Sequence, residues 1–151
     1  MAKAPVGSRA PSFELPGTGG GSYRLRDYLE TGVILAFYPG DFTPVCTKQF
    51  CSYRDDGDRL EALGVPMLGI SPQSVDSHER FATTHALTVP LLSDPGKRVA
   101  RSYGVLGPGG FVRRSVFLVD GEGIIRHRHV ALFGLRYQDV GDLEQAVAAL
   151  R

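Results

Sequence analysis

Two cysteines, Cys46 and Cys51, lie five residues apart in a chain of 151. A thiolate is a nucleophile, and a sulfenic acid formed on one cysteine can condense with a neighbouring thiol to give a disulfide. The stretch Tyr38-Pro39-Gly40-Asp41-Phe42-Thr43-Pro44-Val45-Cys46-Thr47 puts the first cysteine where an apolar run ends and a helix is expected to begin. Thr43 suits the N-cap and Pro44 the first helical position, so Cys46 falls in the first turn. Unpaired backbone N–H groups and the positive end of the helix dipole gather there, and both favour the thiolate. Pro39 and Pro44 stiffen the loop.

Cys51 follows on the same expected helix. Five residues of α-helix turn two side chains roughly 140° apart and separate their Cα atoms by roughly 8–9 Å. A disulfide needs a Cα separation of roughly 4.4–6.8 Å. The pair therefore bridges only after the first turns unwind, which argues for a bond made during a cycle rather than a permanent crosslink. The spacing is also not Cys-x-x-Cys, so a thioredoxin-type dithiol oxidoreductase is a poor match.

The elements that must position these residues follow from apolar periodicity and from Gly and Pro punctuation. Gly17 to Gly21 reads as a hairpin tip, Ser22 to Leu25 as a short strand and Arg26 to Glu30 as a turn of helix. The run Val33 to Tyr38 is a strand buried on both faces. A helix is expected from Thr43-Pro44 to about Leu63, with Asp55-Asp56-Gly57-Asp58 as a solvated face or a local break. Val65 to Ile70 is a second buried strand, and Ser74 caps a helix carrying Val75, His78, Phe81 and Ala82 on one face. Pro90 to Leu92 is a short strand, and Lys97 to Tyr103 a helix ended by Gly104. Ser115–Asp120 and Gly123–Val130 form a hairpin through Asp-Gly. Asp142 is expected to open a last helix, with Leu143, Ala146, Val147 and Leu150 as its buried stripe and Gln145 completing a capping box. This order describes an α/β sandwich around a central mixed sheet, a single domain over residues 1–151.

Composition sets the outer bounds. Apolar residues make up 42% and charged residues 22%, with a formal net charge of +1. That balance offers no general attraction to nucleic acid or to an anionic membrane surface. No apolar run approaches a membrane span, and the N-terminal stretch lacks a secretory core, so a cytoplasmic location is expected. His127 and His129 alternate on one strand face but lack companions at ligand spacing, so no metal is expected. The Gly17–Gly21 run lacks the Lys-Ser/Thr of a phosphate loop.

The segment FYPGDFTPVCTKQFCSYRD resembles the peroxiredoxin signature Pro-x-x-x-Thr-x-x-Cys, met here by Pro39, Thr43 and Cys46. The second cysteine five positions on resembles the Q-type, or bacterioferritin comigratory protein, subfamily. APSFELPGTGG, GVPMLGIS, VPLLSD and RRSVFLVDGEG extend the likeness over roughly nine tenths of the chain by the motif reading. The resemblance implies a thioredoxin-like fold, a central mixed sheet flanked by helices with an N-terminal β-hairpin extension. It implies Cys46 as the peroxidatic cysteine, Thr43 as a hydrogen-bonding partner of the peroxide and Pro39 as a shield. Arg114, favoured over Arg113 by the register through Phe117 to Asp120, becomes the arginine that stabilises thiolate and peroxide. Gln49 takes a lesser polar role, and Cys51 becomes the resolving cysteine.

The implied activity is reduction of hydrogen peroxide and organic hydroperoxides, with thioredoxin or a similar dithiol as reductant and no cofactor. A monomer or weak homodimer is expected. Gly104 to Phe111 is short and glycine-rich where many relatives carry a longer arm, and Val45 replaces a glycine common in the subfamily. Besides a scaffold with no redox role, two other readings use the same residues. One is a one-cysteine peroxidase with Cys51 idle. The other is a peroxide sensor or chaperone-like binder that exposes Phe50 on unwinding.

Overall fold

Apolar segments too short for helices and rich in branched residues become the strands of a central sheet. The computed structural model describes residues 3–131 and 136–150. The strands are β1 (Glu14–Pro16), β2 (Ser22–Arg24), β3 (Val33–Phe37), β4 (Met67–Ser71), β5 (Leu91–Ser93), β6 (Ser115–Val119) and β7 (Ile125–Val130). The helices are α1 (Pro44–Asp55), α2 (Gly57–Ala62), α3 (Val75–His85), α4 (Arg98–Ser102) and α5 (Val140–Ala148). β1 and β2 form an antiparallel N-terminal hairpin, and the other five strands form one sheet in the order β5-β4-β3-β6-β7. β3, β4 and β5 run parallel, whereas β6 and β7 run antiparallel to their neighbours. This is the mixed, thioredoxin-like architecture expected from the sequence.

β3, β4 and β6 are buried at every position, which is why they read as continuous apolar runs rather than alternations. One face carries Leu35, Phe37, Leu68, Phe117 and Val119 against Val99 and Ala100 of α4 and against Phe13, Leu15 and Leu25 near the N-terminus. The other face carries Ile34, Ala36, Met67, Val116 and Leu118 against α1, α3 and α5. Phe50 is 1% exposed in that second layer, worth roughly 1.5–3 kcal/mol of burial. Gly69 makes its seat: a Cβ there would stand 2.9 Å from the Phe50 ring. The absence of that carbon lets α1 lie close on β4.

Three local expectations change. The helix expected from Thr43 to Leu63 is two helices, broken at Asp56, whose φ of −97° and ψ of 27° leave the helical basin before Gly57. The last helix starts two residues earlier than Asp142, because Asp139 is the cap: its side chain accepts from the Asp142 N–H, and the Asp142 carboxylate accepts from the Asp139 N–H. Leu150 lies beyond that helix and is exposed rather than part of its stripe. Among the described residues no helix is long and apolar enough to cross a membrane.

Candidate active site

Parallel strands bring their C-terminal ends to one edge, and the chain leaves β3 there through Tyr38, Pro39, Gly40, Asp41 and Phe42 into α1. Pro44 is the first residue of α1 and Cys46 the third, so the cysteine stands in the first turn as expected. The antiparallel register pairs Phe37 with Ser115. Arg114, one residue before β6, is thereby carried to the end of the sheet at which α1 begins. Backbone bonds hold it on both sides: Arg113 N–H donates to Val105 O at 2.7 Å, and Ala131 N–H donates to Arg114 O at 2.9 Å.

Arg114 is 3% exposed, and Cys46 has no exposed surface. Arg114 Nη1 donates to Cys46 Sγ at 3.1 Å and to Gln49 Oε1 at 2.7 Å. Gln49 Nε2 donates in turn to Tyr53 Oη at 2.9 Å, and Tyr53 Oη donates to the Gln138 carbonyl at 2.6 Å. That chain of donors fixes the orientation of the Gln49 amide, since only its oxygen can face the guanidinium. Burial pushes the Tyr53 hydroxyl far above the usual phenol range, so it stays a neutral donor. Cys46, Gln49 and Tyr53 lie at i, i+3 and i+7, one face of α1.

Arg113 takes the opposite course. It is half-buried and packs beside Gly107, where a Cβ would come within 3.0 Å of its Nε. Thr43 stands at the N-cap position, but its hydroxyl does not cap the helix. It donates instead to the Gly40 carbonyl at 3.0 Å, which closes the loop on itself. Pro39 is half-buried, between β3 and that loop. Cys51 is half-buried, and both cysteines are free thiols on one continuous helix. The structure therefore brings Cys46 to Arg114 but keeps Cys51 apart from it.

A model of the AhpC/TSA family matches residues 6–128. The chain belongs to the AhpC/TSA family. Peroxiredoxin Bcp of Escherichia coli is 38% identical to it over 129 residues, covering 81% of this chain and 83% of that protein. Chloroplastic peroxiredoxin Q of Arabidopsis thaliana is 37% identical over 128 residues, covering 83% of this chain and 59% of the relative. The crystal structure of peroxidoxin BcpB from Mycobacterium tuberculosis superposes with a TM-score of 0.83 at 32% identity, over 100% of this chain and 97% of that one. The bacterioferritin comigratory protein of Xanthomonas campestris gives a TM-score of 0.78 at 26% identity, over 91% and 89% of the two chains. The protein is a thiol-dependent peroxidase, an oxidoreductase of the peroxiredoxin kind and of the Bcp type.

Several residues of this peroxiredoxin's site carry weak sequence signals. Tyr53 could have been found from its helical spacing to Cys46 and Gln49. Gln138 could not, since it meets Tyr53 only through its backbone carbonyl. Asp41 and His78 form a buried pair 2.6 Å apart beside the loop, from positions 37 residues apart. The sequence showed His78 only as a member of an apolar helix face. His127 Nε2 stands 2.7 Å from Gln138 Oε1. Among the described residues no group of three His, Cys, Asp or Glu side chains is placed to hold a metal ion.

Proposed function

We propose that Cys46 is the peroxidatic cysteine and Cys51 its resolving partner. The Cys46 thiolate attacks the terminal oxygen of a hydroperoxide, the O–O bond breaks, and the leaving oxygen departs as water or an alcohol after taking up a proton. Sulfur is oxidised by two electrons to a sulfenic acid, and the hydroperoxide is reduced. The Cys51 thiol then condenses with that sulfenic acid, forming the S–S bond and releasing water. An external dithiol, thioredoxin by family resemblance, opens the disulfide by exchange and leaves oxidised itself.

The contact between Arg114 and Cys46 is the observation that carries this reading. A buried guanidinium needs a strongly accepting neighbour, and the Cys46 sulfur, a far better acceptor as thiolate than as thiol, lies 3.1 Å away. The same charge can receive the negative charge that develops on the departing oxygen. Thr43 turns its hydroxyl proton to Gly40, which leaves its oxygen lone pairs for a bound hydroperoxide. Pro39 is the shield on the strand side. Cys46 has no exposed surface, and the segment that leads to it carries exposed Phe42, Thr43 and Pro44. The site of action is the cytoplasm, and the working form is a monomer or weak homodimer.

Substitution of Cys51 by Ser tests the resolving role. With thioredoxin as donor, turnover should fall to the background rate while the first oxidation of Cys46 continues. Undiminished turnover would overturn the resolving role and leave a one-cysteine peroxidase, a reading that the intact α1 between the cysteines also accommodates.

A further inference from the structure

The loop that feeds α1 is fastened to α3 and to the turn before it. Asp41 is the polar fastening. Its carboxylate is buried, with Oδ1 accepting from Tyr38 Oη at 2.7 Å and Oδ2 accepting from Ser77 Oγ at 2.8 Å. Oδ2 also lies 2.6 Å from His78 Nδ1, and His78 Nε2 lies 3.0 Å from the Leu92 carbonyl. Both ring nitrogens of a fully buried histidine thus lie within hydrogen-bond distance of an oxygen, which ties the ring to the Asp41 carboxylate on one side and to β5 on the other. The backbone N–H of Asp41 donates to Gln73 Oε1.

Phe42 is the apolar fastening. It takes a left-handed φ of 63°, which costs a bulky residue energy, and its ring packs on Phe81 and His85 of α3 at centroid distances of 5.1 and 6.2 Å. Two of the loop's residues thus reach across to α3, whereas Phe50 and Tyr53 seat the second half of α1, with Phe50 packed on Tyr38 and Phe81. The chemistry proposed above uses neither Asp41, Ser77 nor His78.

We propose that the Asp41–His78 pair, with Ser77, is a latch that positions the loop around Cys46 and sets how fast the first turn of α1 unwinds. The proposal rests on the Cys46–Cys51 reading. Once Cys46 is a sulfenic acid, two reactions compete. Condensation with Cys51 needs the turn to unwind. Attack on a second hydroperoxide does not: sulfur loses two more electrons and becomes a sulfinic acid, the O–O bond breaks, and the hydroperoxide becomes water or alcohol. The latch therefore sets the partition between a recyclable disulfide and irreversible oxidation. Asp41, Ser77 and His78 are positioning residues.

The test is mass spectrometry of alkylated full-length protein after exposure to a fixed excess of hydrogen peroxide. Ser77→Ala and Asp41→Asn should lower the ratio of Cys46 sulfinic acid to Cys46–Cys51 disulfide by roughly threefold to tenfold, the rate equivalent of one hydrogen bond. Ser77→Ala removes one donor and favours helix, so it keeps the test alive if Asp41→Asn does not fold. Tyr103→Phe is the control for general destabilisation. It deletes a hydrogen bond to the Pro11 carbonyl at 2.6 Å on the other face of the sheet, and it should leave the ratio unchanged. A ratio unmoved in both latch variants, or moved equally by Tyr103→Phe, overturns the latch alone. A wild-type protein that forms no disulfide overturns the two-cysteine reading, and the latch with it.

Discussion

Arg114 reaches Cys46 across 68 residues of sequence, with Nη1 at 3.1 Å from Sγ. The same nitrogen donates to Gln49 Oε1, and the guanidinium is almost wholly buried. A fixed charge of this kind needs no reorganisation at the moment of reaction, which is what makes it worth more than a mobile surface arginine. Its placement follows from one strand register, because Phe37 pairs with Ser115.

Replacing Arg114 by Ala should slow peroxide attack. Removal of one such donor typically lowers a rate roughly 10²–10³-fold, and the second-order rate constant of Cys46 oxidation should fall by that order. Arg114→Lys should recover only part of it, since an ammonium is a compact, strongly hydrated charge that is costlier to bury than a guanidinium. Single-turnover oxidation of the Cys51→Ser protein, followed by mass spectrometry, measures this step without resolution.

Tyr53→Phe should behave differently. It leaves the Gln138 carbonyl without its donor and removes the acceptor for Gln49 Nε2. The expected cost is about 1–3 kcal/mol of stability, read from chemical denaturation. The effect on peroxide attack should be much smaller than that of Arg114→Ala, because Arg114 still holds Gln49 Oε1.

Alkaline pH should destabilise the protein in a defined window. Burial raises Tyr38, Tyr53 and Tyr103 above the usual phenol range, and for Tyr38 the Asp41 carboxylate adds to it. A raised folded value means that stability is fully present below the unfolded value, about pH 10, and is lost as pH rises toward the folded value. Each tyrosine should then cost about 1.4 kcal/mol per pH unit. Urea midpoints at pH 8, 9, 10 and 11 should be flat below pH 10 and fall above it.

What could be read in the sequence was what depends on neighbours along the chain. Val33 to Phe37 declared a doubly buried strand, and Thr43-Pro44 placed Cys46 in a first helical turn. Ser74 was legible as a cap, and its side chain does accept from Ser77 N–H at 3.1 Å. Spacing alone could not show that Arg114 rather than Arg113 meets Cys46. That outcome depends on a β3–β6 pairing more than 75 residues apart in sequence, and resemblance supplied what periodicity could not. The Asp41–His78 pair was invisible for the same reason. Thr43 shows a second limit: its type suits an N-cap, yet its hydroxyl donates to a carbonyl three residues back and accepts no capping bond.

The central claim is that a sulfur held by a buried guanidinium is oxidised first, and that its partner reaches it afterwards. The direct measurement is mass spectrometry of the reduced protein before and after one equivalent of hydrogen peroxide, with free thiols alkylated at each point. The account predicts two free thiols before the pulse and a Cys46–Cys51 bond after it, with Cys46 as the residue trapped as sulfenic acid when Cys51 is Ser. Oxidation that falls first on Cys51, or leaves Cys46 an unreacted thiol, would contradict it.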